Sequence, residues 1–501
     1  MHNSFVENVY SKSLEYIQKM PKKERKTIGQ FFTPIGVAQF MASLFSPVNK
    51  KEVFILDPGA GSGILTAAVL DQFQNDSTVE KVFITCFESC EKILPLLKEN
   101  LEYIKENSTI KVEYKIYNEN YITWQKDDFN ETLLENTDAT KYDIIICNPP
   151  YKKIPRNAPE AECMSNVCYG TPNLYFLFMA MGLFDLDEEG EMVYIVPRSW
   201  TSGAYFTKFR EYFLSEGRIK HLHLFMSRDE VFENESVLQE TIIVKVDKSK
   251  VFDSIRITSS KSNKDFDHLS LIDVPYNMVV NGAEKYVYLV TNEEELDILT
   301  KMNQWHDSLP SLGLKMKTGL TVEFRNEEYL KSEPNMDTVP LLYSQHIKDG
   351  RVVFPTQREN EYISAQKDGL IQKNKNYLFV KRFTAKEEKR RFQCGIYLAD
   401  DLPEYDYIST QNKLNFIESL QNDMSINTAY GLYVLFNSTI YDKYYRILDG
   451  STQVNSTEVN SMPVPSLESI EKMGAELIKA DDLSVNTCDK IIGGLFDVKD
   501  R

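Results

Sequence analysis

The sequence predicts an α/β fold: a mainly parallel sheet with helices on both faces, followed by a C-terminal α+β domain. Three observations carry this. From about Phe31 to Val246, short apolar runs (VFILD, KVFITCFE, IKVEYKIY, YDIIICN, GEMVYIVP, IKHLHLF, ETIIVKV) alternate with helical stretches such as GVAQFMASLF and NLYFLFMAMGLFDL, the pattern of βαβ units. The first of these runs passes directly into the glycine-rich turn DPGAGSG and then a helix. Beyond about residue 309 the alternation gives way to irregular short strands. The expected divisions are 1–250 for the first domain with an N-terminal helical arm, 251–308 for a connecting segment and 309–501 for the second domain.

In chain order, residues 8–27 read as a helix carrying the basic cluster PKKERK. VFILD reads as a strand ending in Asp57, Pro58 to Gly63 as a tight turn, and GILTAAVLDQFQ as the helix it opens. KVFITCFE is the next strand and ends in Glu88. KYDIIICNPPYKK begins as a buried parallel strand, an apolar run from Ile144 to Cys147, and cannot continue as one. Pro149 and Pro150 have fixed φ and no N–H, so the backbone after Asn148 is stiff and extended. IKHLHLF and ETIIVKV, separated by a polar loop, are expected as an antiparallel pair at the sheet edge.

Two of these strand ends suggest chemistry. Glycines let a ligand lie close to the backbone at a helix N-terminus. The dinucleotide fingerprint G-x-G-x-x-G is absent, and the acid Asp57 precedes the turn. A carboxylate there repels phosphate and attracts an ammonium, which fits the amino-acid end of S-adenosylmethionine. Glu88 is placed to accept hydrogen bonds from ribose hydroxyls. At the end of the later strand, Asn148, Tyr151 and the carbonyl of Pro149 are presented where open α/β sheets bind ligands.

Composition excludes some classes. At 501 residues and 42% hydrophobic the chain can bury more than one core. No apolar run approaches the roughly 20 residues of a membrane helix, and the start MHNSFVENVYSKSLEY has no secretory pattern, so a cytoplasmic protein with no membrane partner is expected. The seven cysteines lack zinc-site spacing, so reduced thiols and no metal are expected. A net charge of −17 argues against a protein that coats nucleic acid nonspecifically, but not against a basic groove on an acidic body. The stretch from Lys373 to Arg391 holds eight Lys or Arg against two Glu, with Tyr377, Phe379 and Phe383 among them.

The glycine turn and the Asn148-Pro149-Pro150-Tyr151 segment together resemble the amino-group DNA methyltransferases of bacterial type II restriction–modification systems. The resemblance is to the subgroup that modifies adenine N6 and places its recognition domain after the catalytic one. GQFFTP at 29–34 resembles the family's first cofactor motif, which implies that Phe32 and Thr33 touch the methionine end. DPGAGSG, with Asp57, Pro58, Gly59, Ala60, Gly61 and Gly63, and then Glu88, resemble the next two. In NENYITW, Asn120 and Tyr121 stand where the family has an Asp followed by a Phe against the cofactor's adenine; Asn keeps an acceptor but not the charge. VFENESV places Phe232 where the family packs an aromatic on the target base. YYRILDGSTQVNSTEVNSMPVP at 444–465 resembles the closing segment of the recognition domain. Length and pattern are most similar to the BsuBI/PstI type, which implies a CTGCAG-specific enzyme.

The resemblance implies a site-specific adenine-N6 methyltransferase acting on double-stranded DNA with S-adenosylmethionine, alongside a separate cognate restriction endonuclease. Asn148, Pro149, Pro150 and Tyr151 would be catalytic, with Asn148 also at the cofactor. Lys381, Arg382, Arg390 and Arg391 are expected on the DNA backbone, and Arg446, Ser451, Gln453 and Asn455 near the DNA. A protein glutamine methyltransferase shares the NPPY segment but needs no large C-terminal domain. A modification subunit of a multi-subunit restriction complex would differ mainly in needing partner chains.

Overall fold

The computed structural model describes residues 4–19, 21, 32–74, 78–130, 140–226, 241–251, 253–384, 388–449 and 452–497. The chain divides into two compact units, Met1–Asn292 and Glu293–Arg501.

The first unit is built on a nine-stranded sheet. Its strands are β1 (Glu52–Asp57), β2 (Lys81–Phe87), β3 (Lys111–Tyr117), β4 (Tyr142–Cys147), β5 (Leu186–Pro197), β6 (Arg218–Phe225), β7 (Thr241–Asp247), β8 (Ser254–Ser260) and β9 (Ser270–Pro275). Their order is β3-β2-β1-β4-β5-β7-β6-β8-β9. The run from β3 to β5 is parallel throughout. Side chains alternate between faces along a strand, and both faces are covered. Ile195 of β5 joins a core with Val53, Ile55 and Ile84 beneath helices Ile35–Ser43 and Ile64–Phe73. Its neighbour Tyr194, on the other face, donates its hydroxyl to the Phe178 carbonyl in helix Leu174–Asp185 (3.2 Å).

Strands β6 and β7 are antiparallel, but they are not the sheet edge. β7 lies between β5 and β6, and six of its seven residues are buried. A strand buried on both faces belongs in a sheet interior, since edge strands turn polar or charged residues toward solvent. The segment expected to connect the domains supplies β8 and β9 to the same sheet. The N-terminal helix spans Phe5–Lys19, and residues 22–26 of the basic cluster fall outside the described residues.

The second unit contains a six-stranded sheet, with Tyr377–Lys381 between Leu414–Ser419 and Cys394–Tyr397, and a five-stranded one centred on Thr338–Leu342. Helices Ile426–Asn437 and Leu467–Ala480 pack with backbones in contact. A Cβ on Gly431 would stand 1.8 Å from the Ile470 carbonyl oxygen, and one on Gly474 1.8 Å from that of Asn427. Only glycine permits that approach. No helix among the described residues is long and apolar enough to cross a membrane.

Candidate active site

The carboxyl ends of β1, β2 and β4 meet at one cavity. After Asp57 the chain turns through Gly61 (φ +54°) and Gly63 (φ +80°), backbone that a Cβ disfavours, before helix Ile64–Phe73 begins. The Gly63 amide donates to Ala60 O at 2.7 Å, and the Ala60 amide to Phe87 O at 3.0 Å. Glu88 stitches the turn to the strand beside it, accepting the Gly61 amide (2.9 Å) on Oε2 and the Cys90 amide (2.7 Å) on Oε1. Burial raises the Glu88 carboxyl above its ordinary range, against the pull of those amides.

Asp57 lies behind this turn, fully buried. Its Oδ2 accepts the Thr66 hydroxyl at 2.9 Å, and its Oδ1 accepts no hydrogen bond among the described residues. Burial pushes the carboxyl up to about 7; the Thr66 hydrogen bond opposes the rise and the nearby Glu88 charge adds to it. A buried carboxylate so placed lacks a counter-charge.

At the end of β4, Asn148, Pro149 and Pro150 line the same cavity as the glycine turn, with Phe32 also in the lining. Asn148 Nδ2 donates to the buried Thr33 hydroxyl at 3.1 Å, which turns Oδ1 toward Tyr151. The Tyr151 hydroxyl stands 2.9 Å from both Asn148 Oδ1 and the Ile195 carbonyl, and its single hydrogen serves one at a time. Burial pushes this hydroxyl well above its usual range, so it remains a donor. Tyr175 packs edge-on to the Tyr151 ring at 6.3 Å.

The expected residues Phe32, Pro58, Gly59, Gly61, Glu88, Asn120, Tyr121, Asn148, Pro149 and Pro150 thus share one cavity. Thr33, Asp57, Ala60, Gly63 and Tyr151 stand outside its lining; Thr33 and Asp57 are buried immediately behind it. Two of these lining residues also carry bonds of their own. The Tyr121 ring packs against Phe87 and Phe178, and its hydroxyl donates to Asp185 at 2.6 Å. Asn120 Oδ1 is not an open acceptor, because it caps the helix Tyr121–Trp124 by accepting the Ile122 amide (3.1 Å) and the Thr123 amide (3.4 Å). The apolar lining from Ile93, Leu174 and Phe178 was not foreseen; these residues lie in ordinary apolar helical sequence and carry no signal of their own. Phe232 lies outside the described residues.

In the second unit the expected cations are engaged internally. Arg391 is the clear correction, since it is fully buried. Its guanidinium stands 3.6 Å from Asp449 and 5.2 Å from the centre of the Tyr445 ring, while its amide donates to Asp442 at 2.7 Å. Arg390 donates to the Ser438 carbonyl (2.9 Å), and Arg446 to Asp442 (2.8 Å). Lys381 donates to Gln393 Oε1 (2.9 Å), and Arg382 to Gln453 Oε1 (3.2 Å) and the Asn412 carbonyl (3.1 Å), both half-buried. Asn455 reaches Glu458 at 3.3 Å, and Ser451 lies outside the described residues.

Residues 68–232 match the family model described as the Eco57I restriction-modification methylase. The chain is 34% identical over 463 residues to the type II methyltransferase M.BsuBI of Bacillus subtilis, covering 91% of each chain. It is 32% identical over 463 residues to the type II methyltransferase M.PstI of Providencia stuartii, covering 90% of each. Among solved structures, the type IIL restriction-modification enzyme MmeI in complex with DNA is similar in fold, with a TM-score of 0.54 at 12% identity over 99% of this chain and 74% of that one.

Proposed function

Because this chain belongs to the type II DNA methyltransferases of restriction–modification systems, we propose that it methylates the N6 amine of adenine in double-stranded DNA, using S-adenosylmethionine. The observation that carries this reading is Asn148, held at the end of β4 with two rigid prolines behind it, on the same cavity as the glycine turn.

The residues fit such a cofactor. Asp57 has an unpartnered buried oxygen next to the turn, where an ammonium group would supply the missing counter-charge. Glu88 lines the cavity with its carboxylate held by backbone amides, placed for a ribose hydroxyl. Nothing lies within 4 Å of where a Cβ on Gly61 would stand, which leaves that side of the turn open to a ligand. When bound, S-adenosylmethionine supplies a methyl group already activated by its sulfonium.

The chain's own task is to make the adenine amine a nucleophile. Its lone pair is delocalised into the ring, and hydrogen bonds from the amine to Asn148 Oδ1 and the Pro149 carbonyl draw nitrogen toward a tetrahedral geometry. Both acceptors are neutral, so they stabilise the positive charge developing on nitrogen without a second buried carboxylate. As the amine arrives at Asn148 Oδ1, the Tyr151 hydroxyl turns its hydrogen wholly to the Ile195 carbonyl, so neither acceptor is left unsatisfied. The amine is out of reach inside a duplex, so the base is flipped out, at a cost of a few kcal/mol.

The second unit recognises the DNA, with Lys381 and Arg382 on the backbone, and the BsuBI/PstI likeness favours CTGCAG as the site. Methylation there would protect cytoplasmic DNA from a separate cognate endonuclease. The test is to incubate the chain with labelled cofactor and duplex DNA and to analyse the digested nucleosides. Label in N6-methyladenosine is expected; label in a cytosine derivative would overturn the reading.

A further inference from the structure

Helix Leu94–Asn107 buries Leu97, Asn100, Leu101 and Ile104, the i, i+3, i+4, i+7 stripe by which a helix packs on a core. Three of the four are apolar and belong to the core of the first unit. The fourth is an amide with no exposed surface. Burying an amide costs free energy unless a hydrogen bond replaces water, so a polar residue in this stripe points to a polar task. Asn100 Nδ2 donates to the Ser62 carbonyl at 2.8 Å, across 38 residues of chain.

Ser62 stands between Gly61 and Gly63 in the glycine turn. Glycine lets such a turn form but does not hold it, because it adopts positive and negative φ about equally. The Ser62 carbonyl and the Gly63 amide belong to one peptide plane. Its N–H donates to Ala60 O at 2.7 Å and its C=O accepts from Asn100, so the plane is pinned at both ends. Leu97 closes on the same segment, since a Cβ on Gly63 would stand 3.0 Å from its Cδ1. Glu88 holds the Gly61 amide and also lines the cavity; Asn100 holds the next peptide and does not line it. We infer that Asn100 is a positioning residue for the cofactor: without touching the ligand, it fixes the Ser62–Gly63 peptide so that the turn is formed before binding. A preorganised turn binds with less ordering cost. The inference rests on the cofactor reading above.

The test is calorimetry of S-adenosylhomocysteine binding to the full chain. Asn100→Leu, close in volume, removes the donor. Its Kd should rise about five- to tenfold, the value of one hydrogen bond, while the single-turnover rate at saturating cofactor stays near that of the wild type. Asn100→Leu also leaves a carbonyl without its partner and should lower the midpoint in denaturant. Ile104→Ala is therefore the control: one turn along the same helix and fully buried, it should lose at least as much stability yet keep the wild-type Kd. Asn100→Asp reads the donor itself. Burial favours its neutral carboxyl, whose O–H can donate to the Ser62 carbonyl, whereas the ionised form repels it. Its deficit against the wild type at the same pH should shrink as pH falls, and that of Asn100→Leu should stay constant. Wild-type affinity in both Asn100 variants, or an equal loss in Ile104→Ala, would overturn the inference. A wild-type chain that did not bind the ligand would overturn the cofactor reading itself.

Discussion

Around the carboxyl ends of β1, β2 and β4, polar groups are held in place with bonding capacity to spare. Asp57 keeps an oxygen with no hydrogen bond among the described residues, Glu88 is held by backbone amides at the cavity wall, and Asn148 shares one tyrosine hydrogen with a carbonyl. Among the expected cations of the second unit the polar groups meet each other instead: Arg391 meets Asp449, Arg382 meets Gln453, and Arg446 meets Asp442. Both regions look functional as sequence. The difference is that glycine and proline hold the first from the backbone, while the second is built from long side chains, of which Arg382 and Arg391 find partners more than 50 residues away. A density of charge is therefore weaker evidence for a site than a backbone that holds polar atoms apart.

If that contrast is right, Asn148→Ala should reduce the single-turnover rate of methyl transfer by about a hundredfold or more, because the lost hydrogen bond matters most in the transition state. Cofactor affinity and melting temperature should change little. Arg391→Ala should do the opposite. Removing one partner of a buried pair takes the Arg391 charge from beside the buried Asp449 and should cost about 3–5 kcal/mol, read as a lower midpoint in denaturant for the second unit.

Asp57 sharpens the contrast through pH. Its folded pKa of about 7 exceeds the ordinary carboxyl value, so the ligand-free fold gains from protonation and loses that contribution as pH rises through 7. A cationic ligand favours the ionised form. Binding should therefore release a proton below pH 7, and affinity should fall by up to about tenfold per pH unit there and level off above. Calorimetry in buffers of different ionisation enthalpy measures this, and Asp57→Asn should abolish the linkage. The smallest effect belongs to the cations left half-buried. Neutralising Lys381 and Arg382 together should weaken all duplexes alike and lower the salt slope of DNA binding by about one to two units. An unchanged slope would place them with Arg391 as parts of the fold.

The legible parts of the sequence were those fixed by local backbone rules. The strand–turn–helix at Asp57 and the stop after Cys147 follow from glycine and proline, and a cavity forms where both were expected. Sheet order was less legible, because β7 pairs with β5 and β6 at once and only its two-sided burial shows that it is interior. Least legible were side chains whose roles depend on distant partners. Asn100 lies 38 residues from Ser62, and the Tyr121 hydroxyl depends on Asp185.

Of the proposed roles, the most consequential is that of Asn148 as the acceptor for an adenine amine. It is tested most directly by sequencing that reports methylated bases in DNA from cells expressing this chain alone, or its Asn148→Ala variant. The expected result is N6-methyladenine at one short recognition sequence for the first and none for the second. Equal adenine methylation by both chains, or methylation of cytosine, would contradict it.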